Sequence, residues 1–294
     1  MSERAVCNAE RLVIQYGMGI VRQPFLRQMP WQVSHDGTPV ILPRMGAITL
    51  NVQIGDSVYG MEGDHIEPGV SIKNPGPEEN SALNLLSCIG NPAVVLSGEA
   101  KGAEGFVTGS HGGVDDLLVY FPRDVLERMT LEDKVQVRMR GRGMKILGFE
   151  ERVHCVGIDP DLFEKMGIVV EDGVLIVPVA AKVPAHLMGS GIGEFSSAAG
   201  DYDIMTADWK EIQRHGLDHL RYGDVVLLEN CDNTYGRGYL TGAVSIGVIV
   251  HGDCILMGHG PGVSTLFSAK TPCIRGRMDA HANLADFMGV PPVS

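Results

Sequence analysis

Aromatic and basic residues are scarce in this chain: Phe, Trp and Tyr make up 6% of 294 residues, and 24 Lys and Arg face 36 Asp and Glu. The resulting net charge of −12 repels phosphate backbones, which argues against nucleic acid as a partner. An uninterrupted apolar run of about eighteen residues, the minimum for a membrane helix, is also missing, so no membrane span is expected. The six cysteines include no C-x-x-C pair, which removes the zinc-finger and thioredoxin readings. The N-terminal MSERAVCNAERL is charged from the start and has no apolar core of a secretory signal. The cysteines are therefore read as reduced thiols of a cytoplasmic protein.

Glycine, by contrast, is abundant, at 38 residues, and with the few aromatics it points to many turns and short strands rather than long helices. The expected fold is α+β and predominantly β, built of mixed β-barrel or sandwich units with a few short helices. Residues 1–148 are read as a mainly β N-terminal domain and 149–294 as an α+β C-terminal domain. Strand-like runs bounded by Gly or Pro occur at PVILP, AITLNVQI and DSVYG, and later at LLVYF and VQVRM. Asp159 is placed to cap a short helix, Asp172-Gly173 marks a hairpin, and Thr206 is read as the cap of ADWKEIQRHGLDHL.

The stretch from Lys101 to Asp116, KGAEGFVTGSHGGVDD, places His111, two adjacent carboxylates and five glycines between two apolar runs. A solvated histidine in a glycine-rich loop would look the same, but a second cluster lies upstream. Asp64, His65 and Glu67 fall within four positions in GMEGDHIEPGVS. On extended backbone His65 and Glu67 share a face, with Asp64 opposite unless the chain turns, and Gly63 and Pro68-Gly69 favour a turn. Asp, His and Glu are ligand types of a divalent metal as well as acid/base groups. The two clusters flank one apolar segment, as two loops meeting at one end of a sheet would.

In the second half GSGIG, residues 189–193, fails the dinucleotide fingerprint because Glu194 stands where the third glycine belongs. A backbone nest for a carboxylate or phosphate is the reading left to it. His215 and His219 are spaced i, i+4, a metal-pair spacing on an unbroken helix, but Gly216 interrupts it. From Gly223 to Val263 three apolar strands alternate with polar loops carrying Glu229, Asp232, His251, Asp253 and His259. GDSVYGMEGD echoes GDVVLLENCD, and TGSHGGV echoes MGHGPGV. A duplication into two pseudo-repeated halves accounts for the echo, as does chance similarity among glycine-rich turns.

SGEAKGAEGFVTGSHGGV, GDHIEPGVS, YGRGY and GHGPG together resemble the DUF4438 family of prokaryotic proteins, over most of the chain. That resemblance carries no activity. A weaker likeness is to the acetamidase/formamidase group, whose Gly-Gly-x-x-Asp stretch is similar to Gly112, Gly113 and Asp116; its GDxH element is matched only loosely at Gly63, Asp64 and His65. It implies hydrolysis on a largely β scaffold.

The functional expectation is a metal-assisted hydrolase of a small amide, lactam or related carbonyl compound. Asp64, His65, Glu67 and His111 are the candidate ligands of a divalent ion of unspecified identity, with His111, Glu67 and Asp116 as catalytic candidates. Gly112, Gly113, Glu229, Asp232 and His259 are assigned to substrate binding, the two glycine amides as oxyanion donors. The alternative is a non-catalytic protein whose glycine-rich loops hold a metabolite or anion. The expected partner is a small molecule, with no nucleic acid and no membrane, and a homo-oligomer is expected because glycine-rich β proteins assemble to cover sheet edges.

Overall fold

The structure, a computed structural model, describes residues 3–26 and 31–291. The chain is mainly β, with 36% of residues in strands against 13% in helices, and five short α-helices among the described residues. Six antiparallel strands close into a barrel in the order Gln15–Val21, Lys134–Met139, Pro92–Val95, Glu104–His111, Asp116–Tyr120 and Gly69–Lys73, the last pairing back to the first. Closure leaves none of these six with a free edge, and the two-residue strand Ile48–Thr49 adds outside Gly69–Lys73. Of the strand-like runs named above, AITLNVQI thus yields two strand residues, PVILP yields Pro39–Val40 and DSVYG yields none. Gly and Pro punctuate these runs so densely that no ladder extends through them.

The barrel strands alternate as half-buried strands do. In Lys134–Met139, Val135, Val137 and Met139 are buried while Lys134 is exposed. Asp116–Tyr120 is buried throughout, as its composition predicts, and sends Leu117 and Val119 to one core and Leu118 and Tyr120 to another. One core fills the barrel; the other lies between the barrel and the second half and draws residues from both. Phe121, in the barrel core, and Phe267, in the shared one, are fully buried, each contributing on the order of 2–3 kcal/mol of hydrophobic stabilisation.

The second half carries two sheets. One runs His154–Cys155, Gly262–Ala269, Gly238–His251, Val225–Asp232 and Ala181–Val183, antiparallel except for the last pair. The other runs Glu3–Arg4, Val169–Glu171, Val174–Val179 and Ile274–Met278 and contains the hairpin at Asp172-Gly173. Asp159 caps the helix Pro160–Lys165, its side chain accepting from the amides of Asp161 and Leu162. Asp208, not Thr206, caps Trp209–Arg214; the Thr206 hydroxyl instead donates to Asp253 at 2.6 Å. No helix among the described residues is long and apolar enough to cross a membrane.

What positions the site is the contact between the barrel and the five-stranded sheet. Gly109, in the barrel strand Glu104–His111, faces the long strand Gly238–His251 so closely that a Cβ there would sit 2.2 Å from a Val250 methyl. The glycine lets the two strands approach, which brings the end of one, His111, beside the end of the other, His251. Ser264 Oγ donates to Ser110 O at 3.0 Å and the Gly200 amide donates to Ser110 Oγ at 2.8 Å, stitching the same seam.

Candidate metal centre

Four histidines meet at that seam. The ring centroids of His111 and His251 lie 4.4 Å apart, those of His65 and His251 4.9 Å, those of His65 and His259 5.3 Å, and those of His65 and His111 5.5 Å. His111 closes a barrel strand and is held by the hairpin to Asp116. His65 sits in the loop before the strand Gly69–Lys73 at φ 53°, a left-handed conformation rare outside glycine, and one that surrounding structure must impose. It is imposed by hydrogen bonds to both halves: Asp64 N–H donates to Pro43 O, His65 N–H to Asp253 O and Gly252 N–H to Ile66 O, at 3.0, 3.0 and 2.9 Å. The chain bends at Asp64 and His65 rather than at Gly63, and the two side chains lie together, bonded to each other.

Each of three histidines has one ring nitrogen tied to an oxygen. His65 Nδ1 pairs with Asp64 Oδ1 at 3.1 Å, His111 Nδ1 pairs with Glu67 Oε1, and His251 Nδ1 donates to Gly252 O at 2.9 Å. Oxygen-bonded Nδ1 is the pattern of histidines that ligate metals through Nε2; of the three, His65 Nε2 meets His259 Nδ1 at 3.4 Å and His251 Nε2 is bonded to Asp201, a contact that a bound ion would have to replace. Ligand atoms of His65, His111 and His251 lie within 4.8 Å of one another, as do those of Asp201, Asp203 and His251. Asp201 Oδ2 is 2.5 Å from His251 Nε2, Asp203 Oδ1 is 3.7 Å from the same nitrogen, and Asp203 Oδ2 pairs with His259 Nδ1 at 2.8 Å. Three imidazoles with one or two carboxylates suit zinc and related divalent ions.

The electrostatics follow from burial. His251 is fully buried, which pushes its pKa down, but the charge and hydrogen bonds of Asp201 and Asp203 outweigh this and raise it well above the ordinary value. Burial dominates at His65 and lowers its pKa against the Asp64 hydrogen bond, so this ring is neutral at pH 7 and ready to donate a lone pair. For His259, partly open to the cavity, the hydrogen bond to Asp203 raises the pKa. A third trio, His65, Cys254 and His259, also brings its ligand atoms within 4.8 Å; burial, then the charge of Asp64, raise the pKa of the Cys254 thiol.

A cavity of about 540 Å³ opens over the cluster, lined by Asp64, His65, His111, Asp201, Asp203 and His259 among others. Gly112 and Gly113 line it too, but the Gly112 amide donates to Asp201 Oδ1 at 2.7 Å and is committed to holding that carboxylate. Glu67 does not reach the cavity: it lies behind His111, where its other oxygen accepts from the Gly46 amide at 2.8 Å and from the Ser71 hydroxyl. Asp64 lines the cavity yet is occupied, bonding His65, Arg44 Nε at 3.1 Å and Gln32 Nε2 at 3.0 Å.

Asp116 is also outside the cavity, fully buried behind the sheet with Arg22 Nε 3.2 Å from one oxygen. Burial, then the charge of Glu67, push its carboxyl up to about 7 despite Arg22. The folded state holds a proton that an unfolded Asp, with a pKa of about 3.9, has released. The cost of ionising it is therefore absent below about pH 4, grows from there to about pH 7 and is complete above, reaching roughly 4 kcal/mol at most. Asp116→Asn should raise the melting temperature over wild type more at pH 8 than at pH 4.5; an equal difference at both pH values would show that Asp116 is ionised throughout.

Glu229 and Asp232 stand apart from the histidines. Glu229 lines a separate depression with Lys182, Arg214 and His215, and Asp232 caps its own turn by accepting from Thr234, with Lys270 3.9 Å away. The helix before Gly216 ends at Arg214, so His215 and His219 share no helical face; His215 meets Glu211 and His186 at the surface instead. The residues sequence reasoning passed over are Asp201, Asp203 and His251. DYD carried a signal: Tyr202 is buried in the core while Asp201 and Asp203, two apart, both line the cavity. His251 ends an apolar run, and a bulge between Ile249 and His251 turns it into the site.

Residues 31–164 match the family model described as Domain of unknown function (DUF4438), N-terminal, and residues 165–288 match its C-terminal counterpart. A solved structure, "Crystal structure of TM1086", is 45% identical with a TM-score of 0.92, over 97% of this chain and 99% of that one. No curated protein matches the chain. Two adjoining family models and a full-length structural match agree: the chain belongs to the DUF4438 family.

Proposed function

We propose that this protein is a metal-dependent hydrolase of a small amide, lactam or related carbonyl compound. The observation that carries the reading is the convergence of three imidazoles, each with Nδ1 fixed by an oxygen partner, at a cavity large enough for a metabolite: His65 and His111 line it, and His251 is fully buried against both of them. His65, His111 and His251 are the proposed ligands, with Asp201 or Asp203 completing the set. A divalent ion held there supplies Lewis acidity toward a carbonyl oxygen and lowers the pKa of a water to near neutrality. With Asp201 as the carboxylate ligand, Asp203 would serve as general base, and His259, bonded to it and partly open to the cavity, would carry the proton outward. Glu67 and Asp64 act as positioning residues that hold His111 and His65. With the Gly112 amide committed to Asp201, oxyanion stabilisation falls to the ion.

Loading the purified protein with zinc, manganese or cobalt and screening small amides and cyclic imides tests the reading. Turnover that chelator abolishes and one equivalent of metal restores is the expected result. Bound metal with no turnover of any such substrate would favour the non-catalytic binding role. Glu67→Gln keeps the shape but weakens the hold on His111, and metal affinity should fall about 10- to 100-fold; unchanged affinity would remove Glu67 from the site.

A further inference from the structure

Arg237, in the turn between the strands Val225–Asp232 and Gly238–His251, lines the same cavity as the histidines while only 6% exposed. Its backbone is pinned on both sides, its N–H donating to Glu194 O and its carbonyl accepting from the Gly193 amide, each at 2.8 Å. The side chain is fixed by Nη2 donating to Ala199 O at 3.0 Å. Its Nε is buried without a partner, and among the described residues the guanidinium forms no ion pair. The nearest acids are engaged elsewhere, Asp201 by His251 and the Gly112 amide, Asp203 by His259.

A guanidinium cannot shed its charge at any working pH, so removing one from water without a direct ion pair is unfavourable; burial dominates at Arg237, and the charges of Asp201, Glu194 and Asp203 offset it only in part. The protein maintains that arrangement at a cavity wall. The wall also presents the hydroxyl-bearing Ser190 and Ser196, from the glycine-rich segment that includes residues 189–193. At Gly191 and Gly200 an added Cβ would approach the guanidinium nitrogens to 3.5 and 3.4 Å, so the missing side chains keep that face uncovered. Asp115 and Glu194 also line the cavity, but both are exposed to solvent, where water and salt screen them. Arg44, the other lining arginine, is already paired with Asp64.

We infer that Arg237 anchors an oxyanion group, a carboxylate or phosphate monoester, of the molecule that occupies this cavity. Bidentate pairing of a guanidinium with either group supplies both the missing counter-charge and a fixed orientation. The substrate class is thus narrowed to small anionic compounds, bound by the anion at Arg237 with the scissile carbonyl over the histidines. The word substrate rests on the hydrolase reading above; the anion site does not.

Isothermal titration of malonate and of inorganic phosphate into wild type, Arg237→Lys and Arg237→Met, each zinc-loaded and chelator-treated, tests the inference. Wild type should bind at least one of the two anions at a single saturable site in both metal states, and which one binds tells carboxylate from phosphate recognition. Arg237→Met should bind at least tenfold more weakly and Arg237→Lys in between, with zinc stoichiometry unchanged. If Arg237→Met does not fold, a several-fold weakening in Arg237→Lys carries the same conclusion. Absence of binding to wild type, or equal binding by the variants, would overturn it. Failure of every form to retain zinc, with anion binding intact, would overturn the hydrolase reading alone.

Discussion

His251→Ala should leave the protein unable to retain a divalent ion. This ring joins the histidine trio to the pair of aspartates, its Nε2 facing Asp201 at 2.5 Å and Asp203 at 3.7 Å and its ligand atom lying within reach of those of His65 and His111. Losing a partner that merely orients a ligand weakens metal affinity about 10- to 100-fold, so losing the ligand itself should exceed about 100-fold. Metal content after loading and desalting should fall from one equivalent to near zero. The surface trio of His186, Glu211 and His215 supplies the control, since its atoms are also within ligand reach of one another. His215→Ala should leave the tightly held equivalent in place. If instead His215→Ala removes the metal and His251→Ala does not, the metal site is at the surface and the buried cluster has another purpose.

Gly262→Ala should damage the same site without touching a ligand. A Cβ at this position would lie 2.1 Å from Asp201 Oδ2 and 2.2 Å from His251 Nε2, on the contact between the two. Neither can retreat cheaply, because Asp201 is held by the Gly112 amide and His251 by the carbonyl of Gly252. Overpacking a rigid site of this kind costs about 1–3 kcal/mol. The variant should melt several degrees below wild type and lose its tight metal equivalent together, since the methyl occupies the space between two ligands. Wild-type melting with full metal content would mean that the Asp201–His251 contact is not part of the metal site.

Much of the scaffold could be read from the sequence wherever a run of β-rich residues is bounded by clear turn residues. Asp116–Tyr120, Lys134–Met139 and the three strands after Gly223 are such runs, and Asp159 and Asp172-Gly173 act as their local chemistry requires. The sequence leaves barrel and sandwich both open, because closure depends on the pairing of Ile20 and Val21 with Lys73 and Ile72, some fifty residues on, which no local pattern encodes. Of the site, the His65 loop and His111 were marked by unusual density of metal-binding side chains beside glycine. Asp201, Asp203 and His251 were not: the DYD pair and the histidine ending an apolar run lie some fifty residues apart in sequence, and only their tertiary pairing brings them together. Residue type alone makes Glu67 a candidate ligand and catalytic group; its burial behind His111 makes it a positioning partner of that ring instead.

X-ray absorption on the zinc-loaded protein tests the central claim most directly. The account predicts a shell of nitrogen and oxygen at about 2.0–2.1 Å with the outer-sphere scattering of three imidazoles and no sulfur. A sulfur contribution at about 2.3 Å would place the ion at Cys254. A shell without imidazole scattering would contradict the three-histidine centre altogether.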